Sequence, residues 1–176
     1  MHDYTKKLIG SLLDDMKESK HTAAPEYLFW TDDGEEATKL LAELSNLFHK
    51  VTAQELWINK HIRPDLQIGT SLLCTRVQFP DKHEYKKPQH QMMYLVQAKA
   101  FLPLILKADG KGTGLYIDGA HDVHGDMKGD GGLYYATMKK GAEHTSSTKK
   151  SKVNTVSSTE TEVISAGEKL PKHLLV

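Results

Sequence analysis

The 176-residue sequence has a single cysteine, Cys74, which excludes an internal disulfide and any zinc site built from several thiolates. A lone cysteine of this kind is read as a buried, inert thiol. Aromatic residues are scarce at 7%, against 39% apolar residues in all, so a core is expected but a thin one. No run approaches the ~20 apolar residues that a membrane-spanning helix requires. The opening MHDYTKKLIGSLLDDMKESK has no apolar stretch of signal-peptide length and mixes both charge signs. The expectation is an intracellular chain, cytoplasmic or nuclear, not secreted and with no membrane partner. An excess of one charge is also missing, because 23 lysines and arginines balance 23 aspartates and glutamates. Any nucleic-acid footprint must therefore be local.

What is present in the first half is helical patterning. Leu8, Leu12, Leu13 and Met16 stand at helical spacing between Tyr4 and Met16. After a polar stretch broken by Pro25, the positions Ala37, Leu40, Leu41, Leu44, Leu47, Phe48 and Val51 form a one-faced stripe from Glu35 onward. Asp65 is expected to cap a helix carrying Leu66, Leu73 and Val77. Asp81 and Glu84 resemble a capping box for another, which contains Tyr85, Met92 and Leu95. Pro88 lies inside that last helix, where it removes a backbone donor at a cost of ~3 kcal/mol. The helix is expected either to kink there or to start later.

The character changes near Pro103. Leu104 to Leu106 is a short β-like run, and Ala108 to Gly114 is a turn-rich connector. Leu115 to Asp118 and Leu133 to Met138 read as strands, with Lys139 to Gly141 as a turn and Glu143 to Lys150 as a third strand. Ser157 and Glu160 fit a capping box that opens a final helix and leaves Glu162 unused. Val163, Ala166, Leu170 and Leu174 are its apolar stripe, and Pro171 is expected to bend it. The pattern gives an α+β chain with helices first, then strand, hairpin and helix.

Several polar constellations can be set aside. His121 and His124 sit in the dense cluster from Asp118 to Asp130, but a zinc site there lacks cysteines. A calcium loop from Asp126 would place Lys128 at a ligand position and Thr137 where a bidentate glutamate belongs. The glycines at 110, 112 and 114 precede a strand, so they cannot cradle a phosphate at a helix N-terminus. No G-x-S-x-G elbow supports a serine triad. Two features remain. Asp118 on a strand and Glu162 in the first turns of a helix are a workable start for a two-metal site, which needs several carboxylates around cations ~4 Å apart. The segment from Lys128 to Lys152 carries six lysines against Asp130 and Glu143, and either a solvated hairpin or a phosphate-contacting face would have that composition.

The wording of the sequence adds a resemblance. Ser157-Ser158-Thr159-Glu160-Thr161-Glu162-Val163-Ile164, preceded by Lys149-Lys150-Ser151-Lys152, resembles the Lys-Gln-Lys…Ser-Ser-Thr-Glu-Ala-Glu block of copia-type retrotransposon polyproteins. Tyr116-Ile117-Asp118 and the residues after it resemble the first strand of their ribonuclease H domain. Arg63 to Gln67, Leu73 to Val77 and Pro80 to Lys87 are similar to the helical region that joins reverse transcriptase to ribonuclease H. Met1 to Lys7 is similar to the helix that follows the polymerase palm. The likeness covers most of the chain in one order, with a weak patch at residues 20–39.

The resemblance implies a helix following the palm over residues 1–24 and a helical thumb or connection region over 25–102. An incomplete ribonuclease H-like sheet with one helix follows over 103–176. It also implies a nuclease that cuts the RNA strand of an RNA–DNA hybrid with Mg2+ or Mn2+, using Asp118 and Glu162 as catalytic and metal-holding acids. Glu160 becomes the capping partner. The family's two later acids and its polymerase metal motif have no match in the chain, and Pro88 and Asp130-Gly131-Gly132 depart from the pattern. The expectation is a truncated, decayed polyprotein fragment that is catalytically inactive alone and able to associate with a complete polyprotein copy. The alternative is a non-enzymatic nucleic-acid-binding module whose contacts are Lys149, Lys150 and Lys152. A small helical interaction protein is the third reading.

Overall fold

The computed structural model describes residues 2–12, 19–30, 39–97, 112–136 and 143–173, with the side chains of residues 2, 143–146 and 172–173 left out. The expected β-run at Leu104 to Leu106, the turn at Lys139 to Gly141, and Leu13, Met16, Ala37 and Leu174 lie outside the described residues. The chain divides into two compact units, Met1–Leu104 and Ile105–Val176.

The first unit holds α1 (His2–Leu12), α2 (Ala42–His61), a 3-10 turn (Pro64–Leu66), α3 (Gln67–Arg76) and α4 (Lys82–Gln97). Leu8, Ile9, Val51, Ile58, Leu66, Met92 and Leu95 form its core. The stripe read from Glu35 onward becomes a helix that begins at Ala42, and Leu41 and Leu44 are exposed. Of its described members only Phe48 and Val51 are buried. Asp65 caps no helix. Its carboxylate accepts two bonds from Arg63, at 2.9 and 2.6 Å, and one from Tyr94 at 2.8 Å. A bidentate guanidinium is a stronger claim on a carboxylate than one backbone N–H. Asp81 does cap α4, because its Oδ1 accepts the Glu84 N–H at 2.6 Å. The helix starts at Lys82 and runs through Pro88, so the later start is overturned.

Polar groups occupy much of this unit's interior. Glu84 and Lys87 are both fully buried, and the ammonium donates to Glu84 Oε1 at 3.1 Å and to the Trp30 carbonyl at 2.8 Å. On α2, Thr52, Glu55 and Asn59 share the buried face, at i, i+3 and i+7. Among the described residues, Thr52 Oγ1, both Glu55 oxygens and Asn59 Oδ1 have no hydrogen-bond partner. Burial alone holds the Glu55 carboxyl well above the ordinary glutamate value. Cys74 is exposed, contrary to the buried thiol read from its isolation. Partial burial of the sulfur and then the nearby Glu55 push its thiol up, which keeps the reactive thiolate scarce.

The second unit is a three-stranded antiparallel sheet in the order β1 (Gly114–Ala120), β2 (Lys128–Ala136), β3 (Glu143–Asn154), followed by α5 (Ser158–His173). β2 starts five residues before the apolar run that announced it, at Lys128 instead of Leu133. Gly129 and Gly131 have poor strand propensity, but a Cβ on Gly129 would collide with the Ala120 carbonyl oxygen and one on Gly131 would come 3.0 Å from Ser165 Oγ, so the ladder and the helix above it need residues without side chains there. Asp118 pairs with Gly132, and Gly119 with Gly131. The β1–β2 connection is fixed by Val123 and His124 N–H groups donating to the Lys128 carbonyl.

The cap expected for the last helix is present. Ser157 Oγ accepts the Glu160 N–H at 3.2 Å, and Glu160 Oε2 accepts the Val156 N–H at 2.8 Å. The face that packs is not the apolar stripe. Val163 is 65% exposed, whereas Thr161, Ser165 and Lys169, at i, i+4 and i+8, are buried. The reason is steric. A Cβ on Gly119 would come 2.9 Å from Ser165 Oγ and 3.0 Å from the Thr161 carbonyl oxygen, and one on Gly131 would come 3.0 Å from Ser165 Oγ. Only small side chains on the helix and none on the strands allow this approach. Thr161 also closes a hydroxyl cluster, with Thr155 Oγ1 at 2.6 Å and His121 Nδ1 at 3.2 Å. Among the described residues no helix is long and apolar enough to cross a membrane.

Two outcomes follow from this packing. Gly119→Val forces α5 off the sheet and lowers the unfolding free energy by about 1–3 kcal/mol in urea titrations. Gly167→Ala, where an added Cβ meets nothing within 4 Å, stabilises by up to about 1 kcal/mol. A Gly119→Val protein as stable as the parent contradicts the close seat. For Glu55 the sign is set by its raised value. The folded state holds the proton more tightly than the unfolded state, so nothing is lost below the unfolded value, and stability falls as pH rises from there through the folded one. Glu55→Gln keeps the shape and cannot ionise. It raises the urea midpoint at mildly alkaline pH and flattens its pH dependence, and an unchanged pH profile contradicts the assignment.

Candidate nucleic-acid interface

The two acids singled out from the sequence sit on adjacent elements but do not converge. Asp118 is exposed in the middle of β1, and its Oδ1 accepts the N–H of Gly119 at 2.9 Å. Successive strand residues point to opposite faces. Since Gly119 faces Thr161 and Ser165, Asp118 stands on the face that α5 does not cover. Glu162 is exposed on α5, one residue after the buried Thr161. Among the described residues no hydrogen bond joins the two carboxylates, and no group of three or more His, Cys, Asp and Glu is placed to hold a metal ion. Two carboxylates on different sides of one strand do not fit a two-metal centre by themselves. The same face of the sheet as Asp118 carries a separate polar group, in which His124 Nε2 lies 3.1 Å from Asp130 Oδ1.

The lysines are sorted more sharply. Lys150 pairs across the ladder with Asp130, and its ammonium lies 2.9 Å from Asp126 Oδ1. Lys150 and, less closely, Lys128 hold the Asp126 carboxyl below its ordinary value, with the Lys150 hydrogen bond as the largest cause. Lys150 is therefore committed to a neighbouring acid. Lys149 and Lys152 instead line one cleft of about 230 Å³ together with Glu168 and Lys169.

Simple alternation would send residues 149 and 152 to opposite faces. A β-bulge prevents this. Between the pairs Asp130–Lys150 and Lys128–Asn154, β2 spends one residue and β3 spends three. Ser151 braces the irregularity, because its Oγ donates to the Val153 carbonyl at 3.0 Å and lies 3.2 Å from the Val153 N–H. Extra residues bend a strand and re-aim its side chains. The result is that two exposed lysines of β3 reach the same cleft.

Lys169 was not singled out by the sequence. It is 6% exposed, and its ammonium donates to Ser147 Oγ at 3.1 Å. Its aliphatic stem lies over Gly131, whose built Cβ would be 3.6 Å from Lys169 Cε. The one available signal was the polar series Thr161, Ser165, Lys169, which shares a helix face with no apolar member. Such a face reads as solvent-exposed until the strand glycines opposite it are counted. The cleft thus combines a buried cation in its wall, two exposed cations and one carboxylate, Glu168.

No protein-family model, curated protein or solved structure matches this chain.

The placement of the acids has a consequence for metal binding. A ligand that binds only the native state raises the unfolding midpoint as its concentration passes its dissociation constant. Millimolar Mg2+ is expected to leave the thermal unfolding midpoint of the second unit unmoved. A rise that saturates with Mg2+ and disappears in Asp118→Asn means that the two acids do share an ion.

Proposed function

We propose that this chain derives from a copia-type reverse transcriptase and ribonuclease H polyprotein, and that by itself it binds nucleic acid without hydrolysing it. The observation that carries the binding half is the gathering of Lys149, Lys152 and Lys169 around one cleft. Three cations in a space of this size are a match for phosphate oxygens, the groups that dominate protein–nucleic acid affinity.

The ancestry is supported by the order of the pieces. The strand with Asp118 opens an antiparallel run of three, and the helix capped by Ser157 and Glu160 packs on that sheet with Glu162 in its first turns. This is the arrangement the resemblance implies for the start of a ribonuclease H-like domain, and the helical unit before it agrees with a connection-type region. The inactive half rests on the acids. Asp118 and Glu162 lie on different sides of β1, and a hydrolytic step on two cations needs more carboxylates than they provide.

The purified chain is expected to bind an RNA–DNA hybrid with an affinity that falls steeply as salt is raised. Each phosphate contact by a lysine contributes about 0.7–0.9 to the slope of log affinity against log salt concentration. Incubation with Mg2+ or Mn2+ leaves the RNA strand whole. Binding that is absent, or indifferent to salt, removes the binding reading. Cleavage that stops in Asp118→Asn removes the inactive one.

A further inference from the structure

The cleft between β3 and α5 contains a carboxylate as well as three ammonium groups, and a bare phosphate does not account for it. Glu168 lines the same space as Lys149, Lys152 and Lys169. An anion bound by the lysines is repelled by Glu168, so a plain polyphosphate or the backbone of DNA leaves one wall of the site in conflict. The ligand that satisfies all four side chains carries an anion and, a few ångströms away, a hydrogen-bond donor for the carboxylate.

Resting on the nucleic-acid reading above, we propose that this cleft takes one ribonucleotide unit of an RNA strand. Its phosphate lies against Lys149, Lys152 and Lys169, and its 2′-hydroxyl donates to Glu168. The 2′-hydroxyl is the group by which a protein tells RNA from DNA at a given position. A carboxylate acceptor is suited to that hydroxyl because a charge-assisted bond is stronger than a neutral one.

The parts have separable roles. Lys169 is held by Ser147 in the cleft wall, where it fixes the position of the phosphate. Lys149 and Lys152 are exposed and brought together by the Ser151 bulge, so they supply attraction with little geometric demand. Glu168 follows Gly167 and precedes Lys169 on α5, so the discriminating acid and the fixed cation move as one rigid piece. Lys150 points to Asp126 instead and has no part in the site.

The test compares single strands of one sequence as RNA, DNA and 2′-O-methyl RNA, titrated with the full chain and read by fluorescence anisotropy. The parent protein is expected to prefer RNA to DNA by about tenfold, the equivalent of one charge-assisted hydrogen bond. The 2′-O-methyl strand has lost the donor and binds like DNA or more weakly. Glu168→Ala brings RNA and DNA to equal affinity. Lys149→Gln with Lys152→Gln weakens both strands alike, keeps the RNA preference and reduces the salt slope. These exposed lysines serve as the cation test because a change at the buried Lys169 risks the fold, and matching thermal midpoints show that each variant is folded.

Equal binding of RNA and DNA by the parent, with a normal salt slope, overturns the ribonucleotide assignment and leaves the nucleic-acid reading intact. A preference for RNA that survives in Glu168→Ala also overturns it, because the discrimination then resides elsewhere. Displacement of the RNA strand by a ribonucleoside monophosphate at equal nucleotide concentration makes the cleft a mononucleotide pocket and removes the polymer. Failure of every strand to bind removes both readings together.

Discussion

The second unit depends on how closely α5 can approach the sheet. Two residues without side chains, Gly119 on β1 and Gly131 on β2, face one another across the ladder and leave room for Thr161 and Ser165. Large apolar residues cannot enter that space, so the helix turns its small polar face inward and leaves Val163 in solvent. Dispersion contacts at short range and the hydroxyl cluster of Thr155, Thr161 and His121 then take over part of the work that a hydrophobic core does elsewhere. This seat decides the location of every group of functional interest. It sends Asp118 to the uncovered face of the sheet, leaves Glu162 exposed and lays the stem of Lys169 over Gly131.

The cleft is a second consequence of the same geometry, completed by an irregular strand. A regular β3 would divide Lys149 from Lys152, and three residues set against one re-aim Lys152. Lys150, between them, is neutralised by Asp126 on the other side. A run that reads as undifferentiated positive charge is therefore sorted into a pair that faces the cleft and a residue that does not. Such sorting is what turns a locally basic segment into a site with a shape.

The particular elements show how far the sequence could be read. The five helices and three strands of the described residues were visible as patterns, with errors mainly at their ends. The caps at Asp81 and at Ser157 with Glu160 were legible because capping follows fixed local spacing. The failures share a cause, which is that tertiary context outweighed local preference. The strand read from Leu133 onward starts at Lys128 instead, and Gly129 and Gly131 enter it because the neighbouring strand and the helix leave no room for a side chain there. Asp65 read as a cap and became the partner of Arg63 and Tyr94. Cys74 read as buried and lies at the surface. Of the residues that line the cleft, Lys149 and Lys152 were marked by charge, as was Lys150, which faces Asp126 instead, whereas Lys169 and Glu168 were not, since they come beside these lysines only once α5 is placed on the sheet. The buried polar groups of the first unit, Glu55 above all, were hidden for the same reason. A glutamate on an amphipathic helix gives no sign of facing inward.

Nuclear Overhauser contacts between α5 and β1 test the governing constraint directly. The account predicts strong contacts from the Gly119 and Gly131 Hα protons to Ser165 Hβ, and none from the Asp118 Hβ protons to any proton of the helix. Contacts from Asp118 Hβ to α5, with those of Gly119 missing, would place the helix on the other face of the sheet and contradict the account.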